Sequence, residues 1–148
     1  MVGNERQVTD RVVAALCGTT LARVDAWEFG WAFGFSSGAT VTTQSIWRAL
    51  TAEGIAVTSE DHEQQFGLPA PVDAGQRAVS VLFGKITKVE LAPVTSDLRI
   101  SFDSSAALEF LNTSSGYEGW HLVARENERK AWEIVALGGG DLAMWSSG

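Results

Sequence analysis

Two stretches of the chain resemble one another, and this constrains the fold more than any other feature of the sequence. Residues 31–41 align without a gap on residues 98–108, and both keep apolar residues in register on either side of a turn of small residues. Each stretch follows a helix-like segment that ends in glycine, at Gly18 or Gly84. The pattern predicts two similar halves. It predicts no reaction, because a fold alone does not specify chemistry.

Composition predicts one folded, cytoplasmic domain. The 148 residues are 45% hydrophobic and 20% charged, which excludes the composition of a disordered chain. Eighteen acidic against eleven basic residues give a formal net charge of −7, which opposes general nucleic-acid binding. The single cysteine, Cys17, cannot form an internal disulfide. The polar start of the chain and the absence of a long apolar run favour a cytoplasmic protein with no membrane partner.

Two helices and a series of strands are predicted. Apolar residues at helical spacing indicate the first helix over residues 5–17. The second begins at Asp73, a good N-cap, and its apolar face would carry Val79, Leu82 and Phe83. The remaining apolar segments are β-branched or alternate with polar residues, which is typical of strands. The predicted strands and hairpins cover residues 19–24, 27–35, 35–43, 45–58, 86–91, 102–111, 120–137 and 143–145.

These elements predict an α+β fold in one compact domain, residues 1–148, built from two tandem, pseudo-symmetric halves that each combine a helix with antiparallel strands. The first half would cover about residues 5–58 and the second about 73–146, with a surface connection over 59–72. One sheet, two sheets and a barrel remain alternatives.

One predicted strand has two unequal faces. Within residues 27–35 the odd positions are bulky and the even positions include Gly30, Ala32 and Gly34. A bare face leaves room for another backbone, so another part of the protein, such as a helix or a neighbouring sheet, is expected to lie against it.

Few residue patterns point to catalysis or metal binding. Residues 60–63 contain metal-ligand residue types, but adjacent positions cannot all converge on one ion, so a solvated acidic loop is favoured and no metal or cofactor is expected. The three glycines at 138–140 lack the lysine of a phosphate loop, which favours a simple turn. No nucleophile is marked beside His121, so no catalytic residue is assigned and an enzymatic role is not favoured.

Six tryptophans are many for a chain of this size. Trp31 and Trp120 coincide with apolar positions of the two halves and are expected to be buried. Tryptophan is also enriched where proteins meet partners, so an exposed recognition patch is the alternative for the others. Those are Trp27, Trp47, Trp132 and Trp145.

The C-terminal third carries a set of short motifs. Residues 98–110 are followed by Tyr117-Glu118-Gly119-Trp120 and then by Gly138-Gly139-Gly140-Asp141-Leu142-Ala143-Met144-Trp145. This arrangement resembles small uncharacterised bacterial domain-of-unknown-function proteins with a Tyr-Glu-x-Trp strand and a Gly-rich turn before Leu-Ala-x-Trp. The resemblance implies no activity. Similar sequences occur among the antitoxin-like immunity proteins of bacterial toxin systems, so the resemblance implies a protein partner.

Two functional hypotheses remain. The first is a non-catalytic binding or interaction protein, whose partner is another protein or a second copy of itself, and it predicts an exposed tryptophan bordered by Asp or Glu. The second is a small-molecule-binding protein or enzyme with a cavity between the two halves, where Glu118 and His121 approach one another and Tyr117 orients the ligand. The candidate binding residues are Tyr117, Glu118, His121, Trp132 and Trp145.

Overall fold

Antiparallel sheets make up most of the structure, a computed structural model that describes residues 5–146. The predicted α+β fold class is wrong, because the described chain is mostly β, with two sheets and two short helices. The helices span 12 and 8 residues and form no layer of their own. The error came from giving the helices equal weight with strands that are far more numerous.

The helices are α1 (Glu5–Leu16) and α2 (Ala74–Val81). The strands are β1 (Leu21–Trp27), β2 (Gly30–Phe35), β3 (Thr40–Thr43), β4 (Trp47–Thr51), β5 (Gly54–Thr58), β6 (Ile86–Leu91), β7 (Leu98–Phe102), β8 (Ala107–Phe110), β9 (Trp120–Glu126), β10 (Arg129–Ala136) and β11 (Leu142–Ser146). Short 3-10 turns follow β5 at Ser59–Asp61 and β10 at Gly138–Gly140. The first sheet has the order β1-β2-β3-β9-β10-β11, and the second has the order β5-β4-β8-β7-β6.

The two aligned stretches occupy like positions in opposite sheets. Residues 31–41 run from β2 into β3, and residues 98–108 run from β7 into β8. Phe35 and Phe102, which are equivalent in the alignment, are both buried. Each donates its backbone N–H to the carbonyl of an alanine four residues later, at 3.0 and 2.9 Å.

The halves exchange strands and do not form separate units. The hairpin of β4 and β5 leaves the first half and pairs with β8 in the second sheet. The hairpin of β9 and β10 leaves the second half and pairs with β3 in the first sheet. Each sheet therefore needs strands from both halves before it is complete.

Aromatic rings join the two sheets in the core. The rings of Trp31 and Phe33, on β2, meet the ring of Trp47, on β4, edge to face at 5.1 and 5.2 Å between centroids. The ring of Phe33 also meets that of Phe110, on β8, at 4.9 Å. Because β2 belongs to one sheet and β4 and β8 to the other, these contacts fix how the sheets face one another.

The helices pack against the margins of the sheets. The apolar face of α1 is buried and contacts β6, whereas α2 contacts β1 of the first sheet and β4 and β5 of the second. Asp73 caps α2 as predicted, since its side chain accepts the N–H of Gln76 at 3.0 Å.

The predicted apolar face of α2 is only partly correct. Leu82 is buried, but Phe83 is 64% exposed and Val79 lies at the surface. The buried face of the helix consists of Ala74, Gly75 and Ala78. A Cβ on Gly75 would lie 3.0 Å from the carbonyl oxygen of Val24 in β1, so the helix is too close to the sheet for large side chains.

Other groups do approach the glycines of β2, but they belong to the same sheet and its loops and not to a helix or a second sheet. The side chain of Arg23 lies across Gly34, where a Cβ would be 3.0 Å from its Cγ, and Asp25 holds the guanidinium at 3.1 Å. At Gly30 the carbonyl oxygen of Thr43 occupies the space that a Cβ would need. A neighbouring side chain and a backbone group fill this space.

Two fully buried tryptophans at like positions differ in hydrogen bonding, which generates a stability prediction. Trp47 begins β4 and Trp120 begins β9. The Nε1 of Trp120 donates to the carbonyl oxygen of Ser96 at 2.9 Å, whereas Nε1 of Trp47 has no acceptor among the described residues. We expect Trp120→Phe to lower the free energy of unfolding by about 1–3 kcal/mol more than Trp47→Phe, because only the first change leaves a buried carbonyl without its donor. Urea unfolding of both variants measures the difference, and equal losses would contradict the assignment.

Candidate functional site

A cleft lies where strands of the two halves meet at one end of the first sheet. It has two adjoining lobes, which share the side chains of Trp27, Gln44, Ser45 and Thr113. Lobe 1 has a volume of about 680 Å³ and is lined by residues 27, 42–45, 113–114, 116–119 and 121. Lobe 2 has a volume of about 450 Å³ and is lined by residues 26–31, 44–46, 59–60, 62 and 113.

A chain of ionisable side chains begins at lobe 1, which Glu118 and His121 line, and continues outside the lobe to Glu133 and Lys130. Strand β9 turns His121 outward, opposite Thr42 of β3. Its Nε2 is 3.0 Å from Oε2 of Glu118, and its Nδ1 is 3.5 Å from Oε1 of Glu133. The Nζ of Lys130 lies 2.9 Å from Oε2 of Glu133. The imidazole is thus held between two carboxylates.

Glu133 is the anchor of this chain. Its hydrogen bond with Lys130 lowers the pKa of Glu133 below the ordinary value, against the opposing effect of burial, and the nearby His121 lowers that pKa further. The carboxylate is therefore ionised at neutral pH, and it fixes the orientation of the imidazole ring.

The hydroxyl groups at lobe 1 hold the loops together. The hydroxyl of Ser45 donates to the carbonyl of Leu111 at 2.6 Å and lies 2.8 Å from the hydroxyl of Thr113. The hydroxyl of Ser114 accepts the N–H groups of residues 116 and 117. Within residues 5–146, the groups in ion-pair contact with His121 are the carboxylates of Glu118 and Glu133.

The cleft is acidic. Glu118 lines lobe 1, and Glu28 and Glu60 line lobe 2. Among the described residues that line either lobe there is no lysine or arginine. Such a surface attracts cations and repels carboxylate or phosphate groups.

Exposed aromatic side chains border the cleft. Trp27 is 46% exposed and its ring meets that of Phe29 edge to face at 6.1 Å. Tyr117, across lobe 1, is 84% exposed. Large aromatics at the surface beside a concavity are typical of recognition sites.

Comparison of the two sheets shows why the cleft lies on the first. On the second sheet, a row of long charged side chains pairs across the strands, with Glu109 at 2.5 Å from Arg48 and 2.8 Å from Arg99. Burial acts to raise the pKa of Glu109, but the two guanidinium groups outweigh it and lower that pKa below its ordinary value. The corresponding row of the first sheet contains Ala32, Thr42 and His121. These shorter side chains leave the surface open.

The structure brings together three of the five candidate binding residues, Tyr117, Glu118 and His121, at lobe 1. Trp132 packs partly against the core, with the guanidinium carbon of Arg11 6.0 Å from its ring centroid. Trp145 is exposed on the edge strand β11 and lines neither lobe.

Trp27 and Trp145 are both exposed but do not form one patch. They lie on β1 and β11, the opposite edges of the six-stranded sheet. Five strand spacings separate them, or about 24 Å.

The other sequence candidates have structural roles. His62 accepts the N–H of Ala74 through Nδ1 at 3.1 Å, and Asp61 closes a capping box with Thr58. No cluster of metal-ligating side chains occurs within residues 5–146. In the glycine turn, the N–H of Gly139 donates to the carbonyl of Ser114 at 3.0 Å, so this amide faces the protein itself.

Sequence reasoning missed Glu133, Lys130, Thr42, Gln44 and Ser45. The alternation of the predicted hairpin over residues 120–137 was a usable signal for Glu133, because it places Glu133 and His121 on the same face of neighbouring strands. Nothing in the sequence indicated that β3 pairs with β9, and this pairing brings Thr42 to His121.

Comparisons of the chain with protein-family models, with curated proteins and with solved structures found no match. Neither helix in the described part of the chain is long and apolar enough to span a bilayer. The geometry and charge of the cleft are therefore the features of this protein that bear on its function.

The position of Glu133 predicts a pH-dependent contribution to stability. Because its pKa is lower in the folded than in the unfolded chain, ionised Glu133 stabilises the native state above the unfolded pKa, and this stabilisation is lost as pH falls through the folded pKa. We expect Glu133→Gln to lower the free energy of unfolding at pH 7 by about 0.5–1 kcal/mol. The deficit should shrink as pH falls below about 4.

The matched control is Glu118→Gln, since Glu118 is more exposed and lacks the contact with Lys130. We expect a smaller loss for this variant at pH 7. Urea unfolding at a series of pH values tests both. A deficit for Glu133→Gln that does not change with pH would contradict the assigned role of the Glu133 carboxylate.

Proposed function

We propose that this protein is a non-catalytic binding protein that holds a positively charged segment of a partner protein in the two-lobed cleft. The observation that carries the proposal is the combination of an acidic lining without lysine or arginine and exposed aromatic rings at the border. Both features favour the same class of ligand.

Both the net charge of the protein and the carboxylates that line the cleft favour a cationic ligand. The formal net charge of −7 attracts a basic partner from a distance and speeds its encounter. Within the cleft, Glu118 lies beside lobe 1, and Glu28 and Glu60 lie beside lobe 2. A basic segment that occupies both lobes would meet a carboxylate in each.

The aromatic side chains support the same ligand. Lysine and arginine bind favourably over the faces of tryptophan and tyrosine rings. Trp27 borders both lobes, whereas Tyr117 borders lobe 1 only. Trp27 is therefore the better candidate for a residue that dominates the binding energy.

The proposal includes a cytoplasmic location and, within the class of binding proteins, an immunity-type role in which the partner is a basic toxin. The single cysteine is consistent with a reducing compartment. The acidic cleft is consistent with covering a basic surface on such a toxin.

Binding of simple charged peptides tests the proposal. The probe is a fluorescently labelled octapeptide of alternating arginine and glycine, and its counterpart has glutamate in place of arginine. We expect the arginine peptide to bind with an affinity that falls as salt is raised, and the glutamate peptide not to bind. Trp27→Ala and Glu118→Gln should each weaken binding by about fivefold to tenfold, as measured by fluorescence anisotropy.

The control variant is Trp145→Ala. Trp145 is as exposed as Trp27 but lies outside the cleft, so its replacement should leave the affinity unchanged. The proposal fails if the arginine peptide does not bind at millimolar concentration. It also fails if Trp145→Ala weakens binding as much as Trp27→Ala does.

A second candidate function is the binding of a small cationic molecule in lobe 1 alone. The observation that favours it is the convergence of Tyr117, Glu118 and His121 on one concavity between strands of both halves. Titration with free arginine and with choline distinguishes the two. If either molecule binds as tightly as the octapeptide, lobe 1 is a small-molecule site.

A further inference from the structure

The second half contains a region that corresponds in position to lobe 2. There, residues of the protein itself fill the space. Lobe 2 lies between the β1–β2 turn and the 3-10 turn after β5. The corresponding elements of the second half are the β6–β7 turn, residues 92–97, and the 3-10 turn after β10. We call the region around lobe 2 the open end and the corresponding region of the second half, around residues 92–97 and 138–140, the closed end.

In the second half these elements touch. The hydroxyl of Ser96 donates to the carbonyl of Gly140 at 2.5 Å, and a Cβ on Gly140 would clash with the carbonyl of Val94. The side chain of Asn112 donates to the carbonyl of Thr95 at 2.7 Å. Ser96 is buried by these contacts. At this end, the turn thus folds into the space that corresponds to lobe 2.

In the first half the corresponding turn is shorter. Four residues separate the paired Ala26 and Trp31, whereas six separate the paired Leu91 and Leu98. The longer turn folds back on itself, since the N–H groups of residues 92 and 96 donate to the carbonyls of residues 97 and 92 at 2.9 Å. The shorter turn exposes Phe29 to solvent and leaves lobe 2 open.

The two ends also differ in whether the buried indole N–H of a tryptophan has a hydrogen-bond acceptor. At the closed end, Nε1 of Trp120 donates to the carbonyl of Ser96. At the open end, Nε1 of Trp47 is buried and has no acceptor among the described residues. An unpaired buried N–H is costly, so a carbonyl that reached it would bind favourably. Trp47 does not itself line lobe 2, but its ring packs edge to face against that of Trp31, which does, so a carbonyl reaches this N–H only when residues that line lobe 2 move aside.

We infer that lobe 2 receives a reverse turn of the partner's backbone, which takes the place that residues 92–97 occupy at the closed end. A backbone carbonyl of this turn accepts from Nε1 of Trp47, and flanking basic side chains meet Glu28 and Glu60. The inference rests on the proposed function, because it specifies the conformation in which the basic segment binds.

The test compares two peptides on the full-length protein. One is the nonapeptide Arg-Arg-Ala-Pro-Val-Thr-Ser-Arg-Arg, which carries most of the residue 92–97 turn between two pairs of arginines and so has as many arginines as the octapeptide. The other is the alternating arginine-glycine octapeptide, which has no turn preference. We expect the turn peptide to bind about fivefold more tightly, the gain of one additional hydrogen bond. Its binding should also shift the indole N–H resonance of Trp47 in a ¹⁵N spectrum.

Two variants separate the outcomes. Trp47→Phe should remove the gain of the turn peptide and leave the affinity for the octapeptide unchanged. Replacement of residues 27–30 by the sequence of residues 92–97 should fill lobe 2 and also abolish the gain. If this graft does not fold, Trp47→Phe still decides the matter.

The inference is overturned if the octapeptide binds while the turn peptide binds no more tightly and leaves the Trp47 resonance unmoved. In that case the proposed function stands. If neither peptide binds, both the proposed function and the inference are overturned.

Discussion

The rest of the structure depends on a small group of aromatic rings packed edge to face between the sheets. Trp31 and Phe33 project from the first sheet, and Trp47 and Phe110 project from the second, with ring centroids about 5 Å apart. Edge-to-face contacts fix the angle between rings as well as their distance, so they set how the two sheets are aligned. The ring of Trp31 also contacts His62 at 4.9 Å, and His62 lines lobe 2. The wall of the cleft is thereby tied to the core.

The cleft exists because the two halves are alike in topology and different in detail. The second sheet carries a row of paired Arg and Glu side chains where the first carries Ala32, Thr42 and His121. The β6–β7 turn of the second half folds inward, whereas the shorter β1–β2 turn of the first half exposes Trp27 and Phe29. Departures from internal symmetry thus coincide with the candidate site. In a chain with two similar halves, such departures identify residues that the shared fold does not require.

The sequence predicted the local structure better than the architecture. Most strands, the cap at Asp73 and the close approach of Glu118 to His121 followed from residue types and spacing. The fold class was wrong because two short helices were given equal weight with far more numerous strands. The exchange of hairpins between the halves was not predicted either, because it depends on long-range pairing, such as that of Thr43 with Trp120, which no local pattern records. The lobes of the cleft were not predictable for the same reason. Their walls come from segments distant in the chain, and only β3–β9 pairing brings these segments together.

The exchange of hairpins also has a consequence for synthesis of the chain. Strand β3 leaves the ribosome long before β9, its neighbour in the sheet, has been translated. Until then the nascent chain carries the aromatic residues of β2 and β4 without a complete sheet to bury them. Pairings between distant segments also form slowly, because closing a long loop costs entropy before the new contacts repay it. The protein therefore acquires its final form only after release of nearly the whole chain, and the interval before that is when it is most exposed to aggregation and to chaperones.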